Sequence, residues 1–176
     1  MITIIGGKYK GRKLAQINNN YVRPTQAKVK KSIFDILGPL DNKRILDLYS
    51  GVGGLGIESL SRGACHLTAV ENNSSVFKIL LNNINCICKS DDVKLHRMSV
   101  SKFLDINSQK FDIIFADPPY EDYDFENLKE LISQFLNSRG VFCMEMKKTK
   151  KNNIKIEDNI RIKYYGNTQV VFWNLN

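Results

Sequence analysis

The chain has 176 residues, 43% hydrophobic and 25% charged, which describes one ordinary soluble domain able to bury a core. No run approaches the ~18 apolar residues of a membrane helix. Lys8, Lys10, Arg12 and Lys13 stand where a secretory leader needs an apolar run, so a cytoplasmic protein is expected. The net charge of +8 is spread unevenly: residues 1–44 hold ten Lys/Arg against two acids, residues 45–146 nine against fourteen, and residues 147–176 seven against two. A basic front and a basic tail around an acidic body suit a polyanion held beside a less basic core.

Cys65, Cys86, Cys88 and Cys143 contain no C-x-x-C pair, and only His66 and His96 are at hand to complete a metal site. Buried or half-buried free thiols in a reducing compartment are expected, with no metal.

In chain order, Thr3-Ile4-Ile5 and Arg12-Lys13-Leu14 flank a glycine-containing turn and predict a hairpin arm. Thr25 can cap a helix whose stripe is Val29, Ile33, Phe34, Ile36 and Leu37, ended by Gly38-Pro39. Lys28, Lys30 and Lys31 are expected to face outward. From residue 43, strands are predicted at Arg44–Leu48, Leu67–Val70, Val93–Leu95, Phe111–Ala116, Val141–Met146, Ile160–Tyr164 and Val170–Trp173. Helices fall between the earlier ones, near Leu55–Ser61, Ser74–Ile84, Val100–Leu104 and Phe125–Leu136. The alternation implies parallel βαβ units in a doubly wound α/β sheet, and Gly166-Asn167 turns the last two strands into a hairpin. Residues 1–40 thus read as a basic arm and helix packed on a core domain of residues 41–176.

Asp47-Leu48-Tyr49-Ser50-Gly51-Val52-Gly53-Gly54-Leu55-Gly56 sits where the first core strand becomes a helix, and Gly51, Gly53 and Gly56 satisfy G-x-G-x-x-G. Such glycines let the backbone turn sharply and approach a ligand. Glu71 ends the next strand, where a carboxylate can accept both hydroxyls of an adenosine ribose. A dinucleotide would rest its pyrophosphate on the helix N-terminus. Asp47 repels a pyrophosphate and attracts an ammonium, which favours S-adenosylmethionine.

Asp117-Pro118-Pro119-Tyr120 closes the fourth strand, beyond whose carboxyl end the reactive crevice of such a sheet lies. A base amino group is a weak nucleophile because its lone pair is delocalised into the ring. The Asp117 carboxylate and the Pro118 carbonyl can hold both N–H bonds and aim nitrogen density at a sulfonium methyl. Asp117 also stabilises the charge that grows on nitrogen, and Tyr120 can stack on the base. The sequence thus points to transfer onto an exocyclic amino nitrogen.

With these motifs, the chain resembles the RsmD-like family of bacterial methyltransferases, which modify the exocyclic N2 of a guanine in small-subunit (16S) ribosomal RNA. The resemblance runs through Ile5-Gly6-Gly7-Lys8-Tyr9-Lys10-Gly11-Arg12-Lys13-Leu14, Arg23-Pro24-Thr25, Asp47 to Ala64, Val70-Glu71, the Asp-Pro-Pro-Tyr turn and Tyr165-Gly166-Asn167-Thr168. It implies a class I (Rossmann-like) fold: a mostly parallel seven-stranded sheet ending in an antiparallel hairpin, with a small N-terminal hairpin and helix. It implies S-adenosylmethionine held by Asp47, Gly51, Gly53, Glu71, Ser99 and Thr25, with Asp117, Pro118 and Tyr120 at the chemistry. Ser99, in Met98-Ser99-Val100, departs from an acid often found there, so its hydroxyl or a nearby backbone N–H is left to meet the adenine. Asn167 likewise replaces an acid. Lys8, Lys10, Arg12, Lys13 and Arg23 are expected to lie along RNA phosphates, in an assembling or assembled 30S particle, with the protein a monomer. Tyr9 suits either a stacked RNA base or the core.

Three alternatives remain at this level. An amino-directed DNA methyltransferase (N6-adenine or N4-cytosine) suits the same turn but needs a DNA-reading region that is not evident. A nicotinamide oxidoreductase leaves Asp47 and the Asp-Pro-Pro-Tyr turn unexplained. A non-catalytic RNA-binding module leaves Asp117 and Glu71 without a task.

Overall fold

The computed structural model describes residues 2–16, 27–118, 124–148, 154–155 and 157–175. Arg23, Thr25 and Tyr120, and with them the expected cap of the first helix, lie outside the described residues.

Two short strands, β1 (Ile2–Thr3) and β2 (Lys13–Leu14), pair antiparallel as the expected arm, with a shorter ladder than the sequence suggests. Helix α1 (Ala27–Leu37) follows, and then β3 (Arg44–Leu48), α2 (Gly54–Ser61), β4 (His66–Val70), α3 (Ser74–Ile87), β5 (Val93–His96), α4 (Val100–Ile106), β6 (Phe111–Ala116), α5 (Phe125–Ser133), β7 (Leu136–Lys147), β8 (Ile160–Tyr165) and β9 (Thr168–Asn174). The main sheet has seven strands in the order β5-β4-β3-β6-β7-β9-β8. Pairings from β5 to β7 are parallel, and β9 is antiparallel to both neighbours. The seven-stranded sheet and its closing hairpin are those the sequence predicted. Gly166 takes a φ of 58° in the β8–β9 turn, a conformation that glycine adopts without penalty.

Alternating side chains divide the core into two layers. Helices α1, α2 and α3 cover one face around Phe34, Ile57, Leu80 and Phe115. Helices α4 and α5 cover the other around Phe103, Phe111, Phe142 and Ile132. Helix α5 stops at Ser133 and β7 begins at Leu136, where the sequence reading extended the helix. Leu136 pairs with Phe111, and the ladder resumes after an irregularity with Ile113 opposite Val141. Arg139 has φ 60° beside Gly140, so β7 bends before its long buried stretch.

Lys30 corrects the expectation that it faces water: it is 2% exposed. Position 30 stands one turn before Ile33 and Phe34 and so belongs to the apolar stripe of α1. Its ammonium donates to the Thr3 carbonyl at 2.7 Å and lies 3.1 Å from Glu58. Burial lowers the Lys30 pKa, opposed by the Glu58 charge. Glu58, fully buried on α2, also accepts the Ile5 and Gly6 N–H groups at 2.8 and 2.9 Å and pairs with Arg62 at 2.8 Å. The arm closes over α2, whose residues Leu55–Ser61 are all buried. The cysteines are corrected in part: Cys88 and Cys143 are buried free thiols, but Cys65 and Cys86 are exposed.

Candidate active site

Strands β3 and β4 run to one side of the sheet's centre and β6 and β7 to the other, so the crevice beyond their carboxyl ends is a topological switch point. A cavity of about 860 Å³ opens there. It is lined by Asp47, Gly51 and Glu71 from the first half, by Ser99, and by Asp117 and Pro118 from the second. A volume of this order holds a drug-sized ligand, typically in ~300–1,000 Å³.

The glycine turn is tightly held. The Ser50 hydroxyl donates to the Asp47 carbonyl at 2.5 Å and accepts the Val70 N–H at 3.0 Å, which ties the end of β3 to the end of β4. Gly51, with φ 55°, donates its N–H to Glu71 Oε2 at 3.0 Å, and Asn73 N–H reaches Glu71 Oε1 at 2.7 Å. The Glu71 carboxylate is thus oriented, with further lone pairs for a diol. Gly53 is outside the cavity lining. It caps α2 with φ 93°, and a Cβ there would stand 2.8 Å from Leu80 Cδ1 and 2.9 Å from Ile57 Cδ1, so its smallness serves packing.

Asp47 is 4% exposed, and its Oδ2 accepts the Gly56 N–H at 3.0 Å. Desolvation pushes its pKa up to about 7; the Gly56 bond opposes the rise and the Glu71 charge adds to it. A cation brought into the cavity relieves this penalty. That fits the ammonium end of a methionine-derived ligand, and Gly54, with nothing within 4 Å of a notional Cβ, leaves the approach open.

Ser99 lines the cavity and is also the N-cap of α4, its hydroxyl accepting Lys102 N–H at 3.4 Å and lying 3.1 Å from Ser101 Oγ. Ser99 therefore has a capping task of its own. Asp117 and Pro118 follow β6 directly and are half-buried.

The cations of the basic arm stand apart from the cavity lining, which β1 reaches through Ile2. Lys8, Lys10, Arg12 and Lys13 are all exposed. Lys8 pairs with Asp91 at 2.5 Å, and Arg12 donates to the Cys86 carbonyl at 2.9 Å. Tyr9 donates to Asp91 at 2.7 Å and packs against the core, the second of its two expected roles.

Sequence reasoning missed three groups. Asn83 on α3 bonds the Ala15 carbonyl at 3.1 Å and the Val52 carbonyl at 3.0 Å, joining the arm to the glycine turn. Lys30 reaches the cavity wall from α1. Glu145 and Lys147 line the cavity from the end of β7. An acid ending an otherwise apolar strand, Val141–Met144, is the signal that marks Glu145.

The profile of the family described as Conserved hypothetical protein 95 matches residues 2–174. Ribosomal RNA small subunit methyltransferase D of Haemophilus influenzae is 32% identical over 155 residues, covering 85% of this chain and 80% of that protein. Its namesake in Escherichia coli K12 is 33% identical over 120 residues, 68% of this chain and 60% of that one. The solved structure of yhhF from Escherichia coli superposes with a TM-score of 0.85 at 25% identity, over 99% of this chain and 98% of that one. SMU.776, solved in complex with SAH, shares the fold at a TM-score of 0.66 and 16% identity, over 84% of this chain and 48% of that one. The chain belongs to the Conserved hypothetical protein 95 family and is an RsmD-like methyltransferase.

Proposed function

We propose that this protein transfers a methyl group from S-adenosylmethionine to the exocyclic N2 of a guanine in small-subunit ribosomal RNA. The observation that carries the reading is a single cavity shared by Asp47, Gly51 and Glu71 at one end and by Asp117 and Pro118 at the other. The names of the relatives supply ribosomal RNA as the acceptor class.

The donor supplies an electrophilic sulfonium methyl when bound. Asp47 would hold its ammonium, Glu71 its ribose hydroxyls, and Ser99 would meet the adenine. The backbone at Gly51 approaches without a side chain in the way. At the acceptor end, the Asp117 carboxylate and the Pro118 carbonyl each accept one N–H of the amino group. That grip turns the nitrogen lone pair out of the ring plane and toward the methyl. Methyl transfer, in which the donor would leave as a neutral thioether, would place growing charge on the nitrogen beside the Asp117 carboxylate, which would stabilise it and accept the released N–H proton. Arg23 and the arm cations Lys8, Lys10, Arg12 and Lys13 would meet the phosphates flanking the flipped base, and Tyr120 would be the residue to stack on it.

Asp117→Ala is expected to lower methyl transfer by ~10²–10³-fold or more, as removal of a transition-state charge partner does. Binding of S-adenosylhomocysteine should persist. Equal turnover by wild type and variant removes Asp117 from the mechanism. Mass mapping of ribosomal RNA nucleosides from cells lacking the protein tests the acceptor: loss of one N2-methylguanosine supports the reading, and an unchanged map defeats it.

A further inference from the structure

Strand geometry places a second acid beside the reactive one. Phe115 pairs with Cys143 and Ala116 with Met144, so Asp117, the first residue after β6, and Glu145, on the parallel neighbour β7, come next in that register. Neighbouring strands lie ~4.8 Å apart. Residues alternate between faces along each strand. Asp47, Asp117 and Glu145 share the parity of Ile45, Phe115 and Cys143, which all pack in the layer under α1, α2 and α3. Asp117 and Glu145 therefore stand side by side, Asp47 lies on the same face one step back, level with Phe115 and Cys143, and all three acids line the same cavity. Lys147, two residues further along β7, and Thr168, its partner on β9, extend that wall.

Each acid meets a different demand. Asp47 stands at the donor end. Asp117 grips the amino group. Glu145 lies beside Asp117, so a base gripped by its amino group at Asp117 would bring an adjoining ring position toward it. Only one of the three amino-bearing RNA bases presents a hydrogen-bond donor there. Guanine carries N1–H beside its N2 amino group, whereas adenine N1 and cytosine N3 are lone pairs. A carboxylate accepts from the first and repels the other two. Resting on the proposed function, we infer that Glu145 is a specificity-determining residue that accepts the ring N–H of the target base and so selects guanine over adenine and cytosine.

The test separates the ring N–H from the amino group. 2-Aminopurine keeps the exocyclic amine but has a lone pair at N1. The full-length protein is given small-subunit ribosomal RNA in which the guanosine found methylated by mass mapping is either retained or replaced by 2-aminopurine. Wild type should prefer guanine by at least about tenfold in kcat/KM, the scale set by a buried polar partner left unmatched. Glu145→Gln, whose amide can donate to a lone pair, should shrink or reverse that preference. Where Glu145→Gln turns over too slowly, the ratio of dissociation constants for the two RNAs, with S-adenosylhomocysteine bound, reads the same preference. An unchanged ratio in an otherwise bound and folded variant overturns the assignment of Glu145 alone. If wild type places no methyl group on any guanosine of this RNA, the functional reading falls, and this inference with it.

Discussion

Asp47 has an acid's charge in a place that disfavours it, and in the proposed function the donor's ammonium would be the group that restores it. Burial holds its pKa near 7 rather than 3.8. A carboxyl raised in the fold stabilises the protein while protonated, so this contribution is present below the unfolded pKa and is lost as pH rises through about 7. Ligand binding runs the opposite way, because the ammonium requires the ionised form. Affinity for S-adenosylhomocysteine should fall toward about tenfold per pH unit below 7 and level off above it. Calorimetric titration between pH 5.5 and 8 measures this, and Asp47→Asn should flatten the profile at weaker affinity. A flat wild-type profile would detach Asp47 from the ammonium. At this scale the motifs were readable because they are local: Gly51, Glu71, Asp117 and Pro118 each stand at a strand end that hydropathy alone locates. Glu58 and Asn83 were not readable, because their partners lie 53 and 68 residues away. No local pattern distinguishes such an acid or amide from a solvated one.

Among the elements, α2 is the hinge between arm and cofactor turn. Its N-terminus is the glycine loop, and its outer side carries Glu58 and Ser61. The Ser61 hydroxyl accepts Tyr9 N–H at 2.8 Å and donates to the Gly6 carbonyl at 2.5 Å, while the Ser61 carbonyl accepts Lys8 N–H at 2.7 Å. Gly7 makes that approach possible: its φ is 73°, and a Cβ there would lie 1.7 Å from the Ser61 carbonyl oxygen. Gly7→Ala must push the arm off α2 and leave the Lys8 and Tyr9 amides seeking partners. We expect a loss of stability of about 2–4 kcal/mol and rapid amide exchange at Ile5, Gly6 and Lys8. Protection as in wild type would show that the arm has another anchor. Lys30→Met removes one of the two cations on Glu58, which Arg62 and two backbone N–H groups still hold, and the donor to the Thr3 carbonyl, and should cost about 1–3 kcal/mol; urea unfolding measures it. Strand and helix order was legible throughout the core, because buried parallel strands read as short apolar runs. The arm's docking was not, since a short helix that is buried on every side owes this to chain folded over it from elsewhere.

For the molecule as a whole, the uneven charge gains a finer meaning once the arm is seen in place. Its cations divide into two kinds. Lys8 and Arg12 are tied to Asp91 and the Cys86 carbonyl and hold the arm to α3 and the turn after it. Lys10 and Lys13 are exposed and, among the described residues, carry no ion pair of their own. A cation already paired with a carboxylate releases fewer counterions when a phosphate arrives, because the phosphate must compete with that carboxylate. Neutralising Lys10 and Lys13 to Gln should therefore weaken RNA binding and lower the slope of log affinity against log salt by up to about 0.7 per lysine on single-stranded RNA. Neutralising Lys8 should change the slope less and loosen the arm instead, visible as faster amide exchange at Gly6 and Tyr9. Filter binding across a salt series, read beside exchange on the free protein, separates the two effects. If Lys8→Gln lowers the slope as much as Lys10→Gln does, the Asp91 pair opens when RNA binds and all the arm cations act alike. If none of them alters it, the phosphates run along a different face of the protein.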